Sequence, residues 1–467
     1  MLNAATGLSA RVASHIAETT FDQLPPAVVS VTKAAFLDAI GVMLAATALG
    51  EGCRAFTELA VQGGGTPTST LLGARTKVPA PSAALANGAL AHALDFEDAH
   101  DAAAIHPNAA AIPATVALAE ASAPIGGKRL ITALAIGCDL ACRLALALRE
   151  DPAEAGWYPP PILGGLGATA AASSLLGLDS QASTDALSLA LCQVTCSGEL
   201  KSSPRSDVRA VRDAFPAQAA VVSTLLAQRG VRGFDLPLEG EAGFFALYAH
   251  GNYDATVITK DLGEHFEGEH LSFKPWPSCR GTHAFVDAAL SLRDEHDLDP
   301  DGIESVVCRG GPILEMLVKP KDQKLRPTTA IDAKFSLPFT VAAALTDGEV
   351  TLATYSPDRL VDERILALAA RVEFNTDETA RGPESASSGT LEVRTSTSSW
   401  FRSVTHPYGS PQRPMSPEQL IKKFLDCASL ATMAPSADSL RRIVDRVMHL
   451  EEVDDVGSTV LGLIGEP

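Results

Sequence analysis

Between Leu90 and Pro113 the chain reads LAHALDFEDAHDAAAIHPNAAAIP, and seven titratable side chains fall within fifteen residues: His92, Asp95, Glu97, Asp98, His100, Asp101 and His106. An alanine-rich segment on its way into a core sheds such groups unless they are paired or put to use, because a buried unpaired charge costs several kcal/mol or shifts its pKa. Imidazoles and carboxylates at this density suit proton transfer. A second set lies at Lys201, Arg205, Arg209 and Arg212, with the arginines at i, i+4 and i+7 on one helical face. It reads either as a solvated face paired with Asp207 and Asp213 or as a wall that grips carboxylates with bidentate guanidinium forks. A third is the loop FKPWPSCRGTH, which contributes Lys274, Arg280 and His283. Together the three sets fit a small polycarboxylate. Its proton is taken from a carbon beside a carboxylate while fixed cations hold the developing enediolate-like charge. In that scheme His106 and His283 exchange the protons, and Lys274, Arg280 and the arginine helix supply the cations. His92 and His100 read as structural hydrogen-bonders. The rival is a divalent metal on His92 and Asp95 with oxygens from Asp98 and Asp101. No histidine follows His92 at i+4 and the acids are too many for a tetrahedral zinc, so the expectation is no metal and no cofactor.

These residues need elements to carry them. Ser82 to Leu94 and Ala109 to Ala121 read as buried helices that meet at the acid–imidazole knot. Pro107 sets His106 at a helix N-terminus, where the dipole disfavours imidazolium. Pro26 to Leu49, Lys128 to Arg149, Leu166 to Gly177, Ser180 to Cys196 and Asp207 to Gly230 extend the helical regime. Trp157-Tyr158-Pro159-Pro160-Pro161 reads as a stiff linker, and Gly164-Gly165-Leu166-Gly167 as helix-packing glycines rather than a phosphate loop. From about 271 the pattern mixes: strands at Ile303 to Cys308, Val372 to Asn375 and Thr390 to Thr395, helices at Lys334 to Leu345 and Pro357 to Arg371, and a polar loop at Glu378 to Gly389. Ser416-Pro417-Glu418-Gln419 carries a capping-box signature and reopens the helical regime, with helices near 417–431 and 436–450. The expected fold is therefore mainly α. A large helical domain is built from both chain ends (1–270 and 413–467), and a smaller α+β lid (271–412) is inserted between them.

Composition narrows the partners. Over 467 residues the net charge is −19, which leaves no broad basic face for nucleic acid or an anionic membrane. Aromatics make up only 5% of a chain that is 46% hydrophobic, a balance that favours close helix packing over sandwiches and barrels. The eight cysteines lack C-x-x-C spacing, and the pairs Cys138/Cys142 and Cys192/Cys196 read as small buried hydrophobes in a reducing compartment. The first residues show no signal peptide, and the apolar run Ile131 to Leu148 is interrupted by Asp139 and Arg143, which argues against a membrane span. The expected location is cytoplasmic.

Three stretches in register resemble the MmgE/PrpD family, which includes 2-methylcitrate dehydratase, cis-aconitate decarboxylase and iminodisuccinate epimerase. They are Gly88 to Asp98 with His106-Pro107, Lys274 to His283, and Ala333-Lys334-Phe335-Ser336-Leu337-Pro338-Phe339. Leu175-Leu176-Gly177-Leu178-Asp179 also fits. The resemblance implies a helical domain with an α+β lid, a homodimer, and a cleft that handles di- or tricarboxylates without an iron–sulfur cluster. It places Asp95, His106 and His283 at the family's acid and histidine positions and Lys274 at the start of the lid motif. The chain departs from family decarboxylases by Ala99 in place of a threonine and by one extra residue between Asp95 and His106. Arg209 stands where those members carry a lysine, and a guanidinium is too basic to hand over a proton near neutral pH. The expectation is dehydration of the 2-methylcitrate dehydratase type, with Asp95 orienting His106 and with Arg209, Lys274, Arg280, Arg212 and Lys201 binding carboxylates. The alternatives are an epimerase or isomerase of an amino- or imino-dicarboxylate, and a non-catalytic carboxylate-binding dimer.

Overall fold

The computed structural model describes residues 7–122, 124–203, 206–380 and 385–464. Arg205 and part of the polar loop at 378–389 lie outside them. The architecture is mainly α. At its centre are Ala80–His92, Asn108–Ala121, Gly127–Ala147, Pro159–Leu176 and Ala214–Gln228, whose buried residues include many alanines and glycines. Small residues let helix axes approach closely. A Cβ on Gly167 would come within 2.5 Å of the Gly137 carbonyl oxygen, so these glycines pack helices, as the sequence suggests. Pro26–Leu49 and Gly127–Ala147 are long and apolar enough to cross a membrane, yet 67% and 89% of their most apolar windows are buried within the fold, so here they serve as core helices. Asp139 and Arg143 in the second are tolerated because they pair with each other at 2.7 Å.

Several boundaries differ from the sequence reading. Pro159, Pro160 and Pro161 form the first turn of the helix Pro159–Leu176 and are not a linker, since proline at a helix start has no N–H to leave unsatisfied. The arginine helix is two pieces, Val208–Val211 and Ala214–Gln228, with the break at Arg212-Asp213. Ala330–Lys334 and Leu337–Asp347 are likewise separated at Phe335-Ser336, where the Ser336 hydroxyl caps the second helix through the Phe339 N–H. Pro357 to Arg371 also divides, into Pro357–Leu360 and Glu363–Ala369. Ser180–Leu191 ends before Cys192, which is exposed, so only Cys138 and Cys142 behave as the expected buried hydrophobes.

The mixed segment forms a four-stranded sheet ordered Val372–Thr376, Ile303–Gly310, Gly389–Thr395, Ser399–Val404; the first pair is parallel and the others antiparallel. His283–His296 and Leu337–Asp347 cover it. Pro417–Ser429 then packs back on Pro26–Leu49, with Ser416 and Gln419 forming the capping box. Ala99–His100 pairs antiparallel with Leu271–Ser272 and so joins the two regions, and at the two ends of the mixed region the Phe273 N–H donates to the Gly409 carbonyl. Gly409 has φ +88°, and a Cβ there would lie 2.0 Å from the Phe273 oxygen, so only glycine permits this crossing.

Candidate active site

The acid–imidazole knot folds onto itself. Asp95 sits at φ 47°, left-handed and uncommon outside glycine, and is fully buried. It is held there by Lys274, whose ammonium donates to the Asp95 carboxylate at 2.5 Å and to its backbone carbonyl at 3.0 Å. Burial alone would raise the Asp95 pKa, but Lys274 and then His92 hold it below the usual carboxylate value. Lys274 therefore spends itself on positioning Asp95 instead of reaching a substrate carboxylate. Beside it, Glu97 accepts from His92 Nδ1 and lies 3.3 Å from His106 Nδ1, and the two imidazoles stand 5.0 Å apart. Asp98 turns away to Asn108, and Asp101 to Arg280, so the set His92, Asp95, Asp98 and Asp101 does not converge on one ion. A different set does, with ligand-type atoms of His92, Asp95, Glu97 and His106 all within 4.8 Å, but the Lys274 ammonium already supplies a cation against Asp95. Behind the knot Lys423 pairs with Asp38 at 2.7 Å and donates to the Phe96 carbonyl at 2.6 Å.

His106 is the group best placed for proton transfer. Its Nδ1 lies 2.8 Å from the Asp98 carbonyl oxygen, which can only accept, so Nδ1 carries the hydrogen and Nε2 keeps its lone pair. Burial, reinforced by Lys274, lowers its pKa to about 3, so the ring is neutral at physiological pH. The side chain is 14% exposed, and what it exposes borders a cavity of about 90 Å³. The cavity is walled by Tyr158 and Ile105 from the helical region and by Cys279, Arg280, Leu314 and Phe335 from the mixed region. Its volume gives room for a few waters.

The other expected residues divide. Arg212 donates to the Tyr158 hydroxyl at 3.0 Å, lies 3.4 Å from His92 Nδ1, and pairs with Asp213 at 3.4 Å. Arg209 stacks 3.5 Å from the Phe335 ring centre, and among the described residues its Nε and Nη2 have no hydrogen-bond partner although the residue is buried. An orphaned buried guanidinium is the feature an anion would satisfy. Arg280 reaches the cavity but spends its donors on protein: Asp101 at 2.9 and 3.0 Å, Ser272, the Tyr408 carbonyl and His283 Nδ1. A free carboxylate-binding Arg280 is therefore not what the fold presents. Lys201 lies outside this cavity, 5.7 Å from the Tyr158 ring, in a separate cleft with Lys319 and Pro320. His283 does not face His106, and no hydrogen bond, ion pair or ring contact joins them among the described residues. Its Nδ1 accepts from Arg280 at 3.2 Å and its Nε2 donates to the Ser278 carbonyl at 3.2 Å, with Trp276 against the ring. Both nitrogens are spent, and burial next to Arg280 keeps the ring neutral.

Tyr158 and Cys279 received no role from the sequence. Tyr158 was hidden beside the proline run, and Cys279 lay inside the quoted lid motif. Burial raises the Cys279 thiol to about 11, so it lines the cavity as a neutral group. Lys334, buried and donating to the Pro277 carbonyl at 3.1 Å, is brought down by burial to about 7.

The MmgE/PrpD N-terminal domain matches residues 10–256 and the MmgE/PrpD C-terminal domain matches residues 276–450. This chain belongs to the MmgE/PrpD family. Among its relatives are the cis-aconitate decarboxylase of Homo sapiens, 29% identical over 80% of this chain and 78% of that protein, and that of Mus musculus, 27% identical over 92% and 88%. A cis-aconitate decarboxylase of Aspergillus terreus is 24% identical over 85% and 84%. The first match carries Asp95, His106, Tyr158, Arg209 and Arg212 and the second carries Arg280 and His283, while Lys274 lies in the short stretch between them.

Proposed function

We propose that this protein is a cofactor-independent lyase for a small tricarboxylate, and that its reaction is dehydration of the 2-methylcitrate dehydratase type. The observation that carries the reading is His106, a neutral imidazole whose Nδ1–H is committed to a carbonyl, whose Nε2 has no hydrogen-bond partner among the described residues, and whose side chain lines a cavity that Tyr158 also lines. His106 Nε2 removes the proton beside a substrate carboxylate. The C–O bond breaks as the alkene forms, and the departing hydroxide takes the Tyr158 proton and leaves as water. The Arg212 guanidinium, 3.0 Å from the phenol oxygen, stabilises the phenolate until the two protons re-equilibrate with solvent. Asp95, locked by Lys274, supports the imidazolium that forms transiently, and Arg209 receives a substrate carboxylate.

Decarboxylation is the second reading, supported by the names of the relatives. It needs an acid to protonate the resulting carbanion. Arg209 cannot do so, which leaves Tyr158. Incubating the protein separately with 2-methylcitrate, citrate and cis-aconitate in deuterium oxide, with proton NMR and headspace CO₂ measurement, separates the cases. Alkene formed from the hydroxy acids, or hydration of cis-aconitate without CO₂, supports dehydration. CO₂ from cis-aconitate establishes decarboxylation, and deuterium uptake with neither product points to epimerisation. No change in any substrate overturns the lyase reading.

A further inference from the structure

Outside the crevice, on the loop that leads into the mixed region, three more ligand-type side chains meet. We propose that His265, Glu267 and His270 form a binding site for a divalent transition-metal ion of zinc's class. Their donor atoms all lie within 4.8 Å of one another, with His265 Nε2 3.7 Å from Glu267 Oε1. The His265 and His270 ring centres are 5.4 Å apart. A tetrahedral zinc with bonds of about 2.0–2.1 Å spaces its donors by roughly 3.4 Å, so modest side-chain rotation closes the shell. Two imidazoles and one carboxylate select borderline ions such as Zn²⁺ over Mg²⁺ and Ca²⁺, which favour oxygen shells.

The loop is built in advance. The Arg143 guanidinium donates to the His265 carbonyl at 2.6 Å, and Asp139 accepts the Glu267 N–H at 2.8 Å, while Arg143 and Asp139 pair with each other in the core. One buried ion pair thus fixes the backbone of two proposed ligands. The carboxylate is oriented too. His100 is buried, and its Nδ1 accepts the Ala103 N–H at 3.0 Å, so its hydrogen sits on Nε2, which lies 3.3 Å from Glu267 Oε2. With Oε2 turned to His100, Oε1 is the oxygen left facing His265. His100 stands where the outer partner of a liganding carboxylate usually sits, and a small turn of its ring, which has no hydrogen bond at Nε2 among the described residues, would complete that contact. The recorded partners of the Glu267 carboxylate are imidazoles, whereas in the inner knot the Lys274 ammonium occupies Asp95. A cavity of about 220 Å³, lined by His100, Glu267 and His270, gives an ion and its waters a way in. Leu271–Ser272, which follows His270 directly, pairs with Ala99–His100 at the rim of the active-site crevice, so an ion here would tie down the seam between the two regions.

Isothermal calorimetry on the full chain, stripped with chelator and dialysed, tests this with ZnCl₂ and with MgCl₂ as probes. One Zn²⁺ per chain is expected, with no Mg²⁺ heat. Affinity should fall at least tenfold in His265→Ala and in His270→Ala, both of which alter partly or fully exposed side chains, and should be unchanged in His92→Gln. Unfolding temperatures measured without metal check that each variant folds, and the d–d spectrum of added Co²⁺ should show a nitrogen–oxygen shell. Absence of Zn²⁺ heat, or Zn²⁺ binding that survives the His265→Ala/His270→Ala double variant, overturns the assignment.

Discussion

His106, partly exposed, and His283, fully buried, are both neutral histidines beside cations, and the contrast between them separates the helical region from the mixed one. His106 gives one nitrogen to the backbone and leaves the other without a hydrogen-bond partner among the described residues, on a side chain that lines a cavity; His283 gives away both, to Arg280 and to Ser278. In this arrangement the helical wall keeps an unpaired imidazole nitrogen, and the mixed region holds its imidazole in place. The same division runs through the cations. Lys274 and Arg280, on the mixed side, are consumed by Asp95 and Asp101 of the helical side, while Arg209, on the helical side, keeps two unsatisfied N–H groups. Residues of the mixed region thus cross the seam to fix the helical wall, and on the proposed reading that wall carries the chemistry.

Substitutions can break that contrast. His106→Gln should lower kcat by about 10²–10⁴-fold, the usual worth of a positioned base, with the fold intact by circular dichroism. Loss below tenfold would remove His106 from the reaction. Lys274→Met leaves the Asp95 carboxylate buried without its counter-charge and should destabilise the protein by about 3–5 kcal/mol in urea unfolding. Unchanged stability would mean that the crossing ion pair does not form. Tyr158→Phe should cost about 10²-fold in kcat with little change in KM, because it removes a proton donor and leaves the wall's shape. His283→Gln, which can still accept from Arg280 and donate to Ser278, should change kcat by less than about tenfold and stability by about 1 kcal/mol. A collapse equal to that of His106→Gln would erase the distinction between the two histidines.

The smallest effect concerns acid. A ring that titrates at about 3 when folded but near 6.5 when unfolded leaves the unfolded chain holding one more proton between those values. Stability therefore falls as pH drops from about 6.5 towards about 3 and levels off below. His15, lowered to about 4, and His92 and His283 add to the same slope. Urea midpoints measured across that window should decline less steeply in His106→Gln than in the parent.

Much of this was legible beforehand. Proline after His106 marked a helix start, the serine–glutamine pair marked the returning helix at 416, and the density of acids and imidazoles marked the knot itself. The sequence could not say how donors are shared out. That Arg280 would exhaust its guanidinium on Asp101, Ser272, Tyr408 and His283 depends on segments far apart in the chain, and so does the sealing of His283. Tyr158 escaped because a proline run suits an extended linker and a helix's first turn equally well. The break at Arg212-Asp213 escaped because neither residue is a helix breaker.

The ammonium of Lys423 has a consequence for biogenesis. It reaches Asp38, on one of the first long helices, and the carbonyl of Phe96, next to the strained aspartate. Until residue 423 has been synthesised those two oxygens lack this partner, because it lies 327 residues beyond Phe96 in the chain. The rear of the candidate site is therefore closed by a residue translated long after it, and a chain cut short before residue 423 would carry Asp95, His106 and Tyr158 and still lack this support behind them.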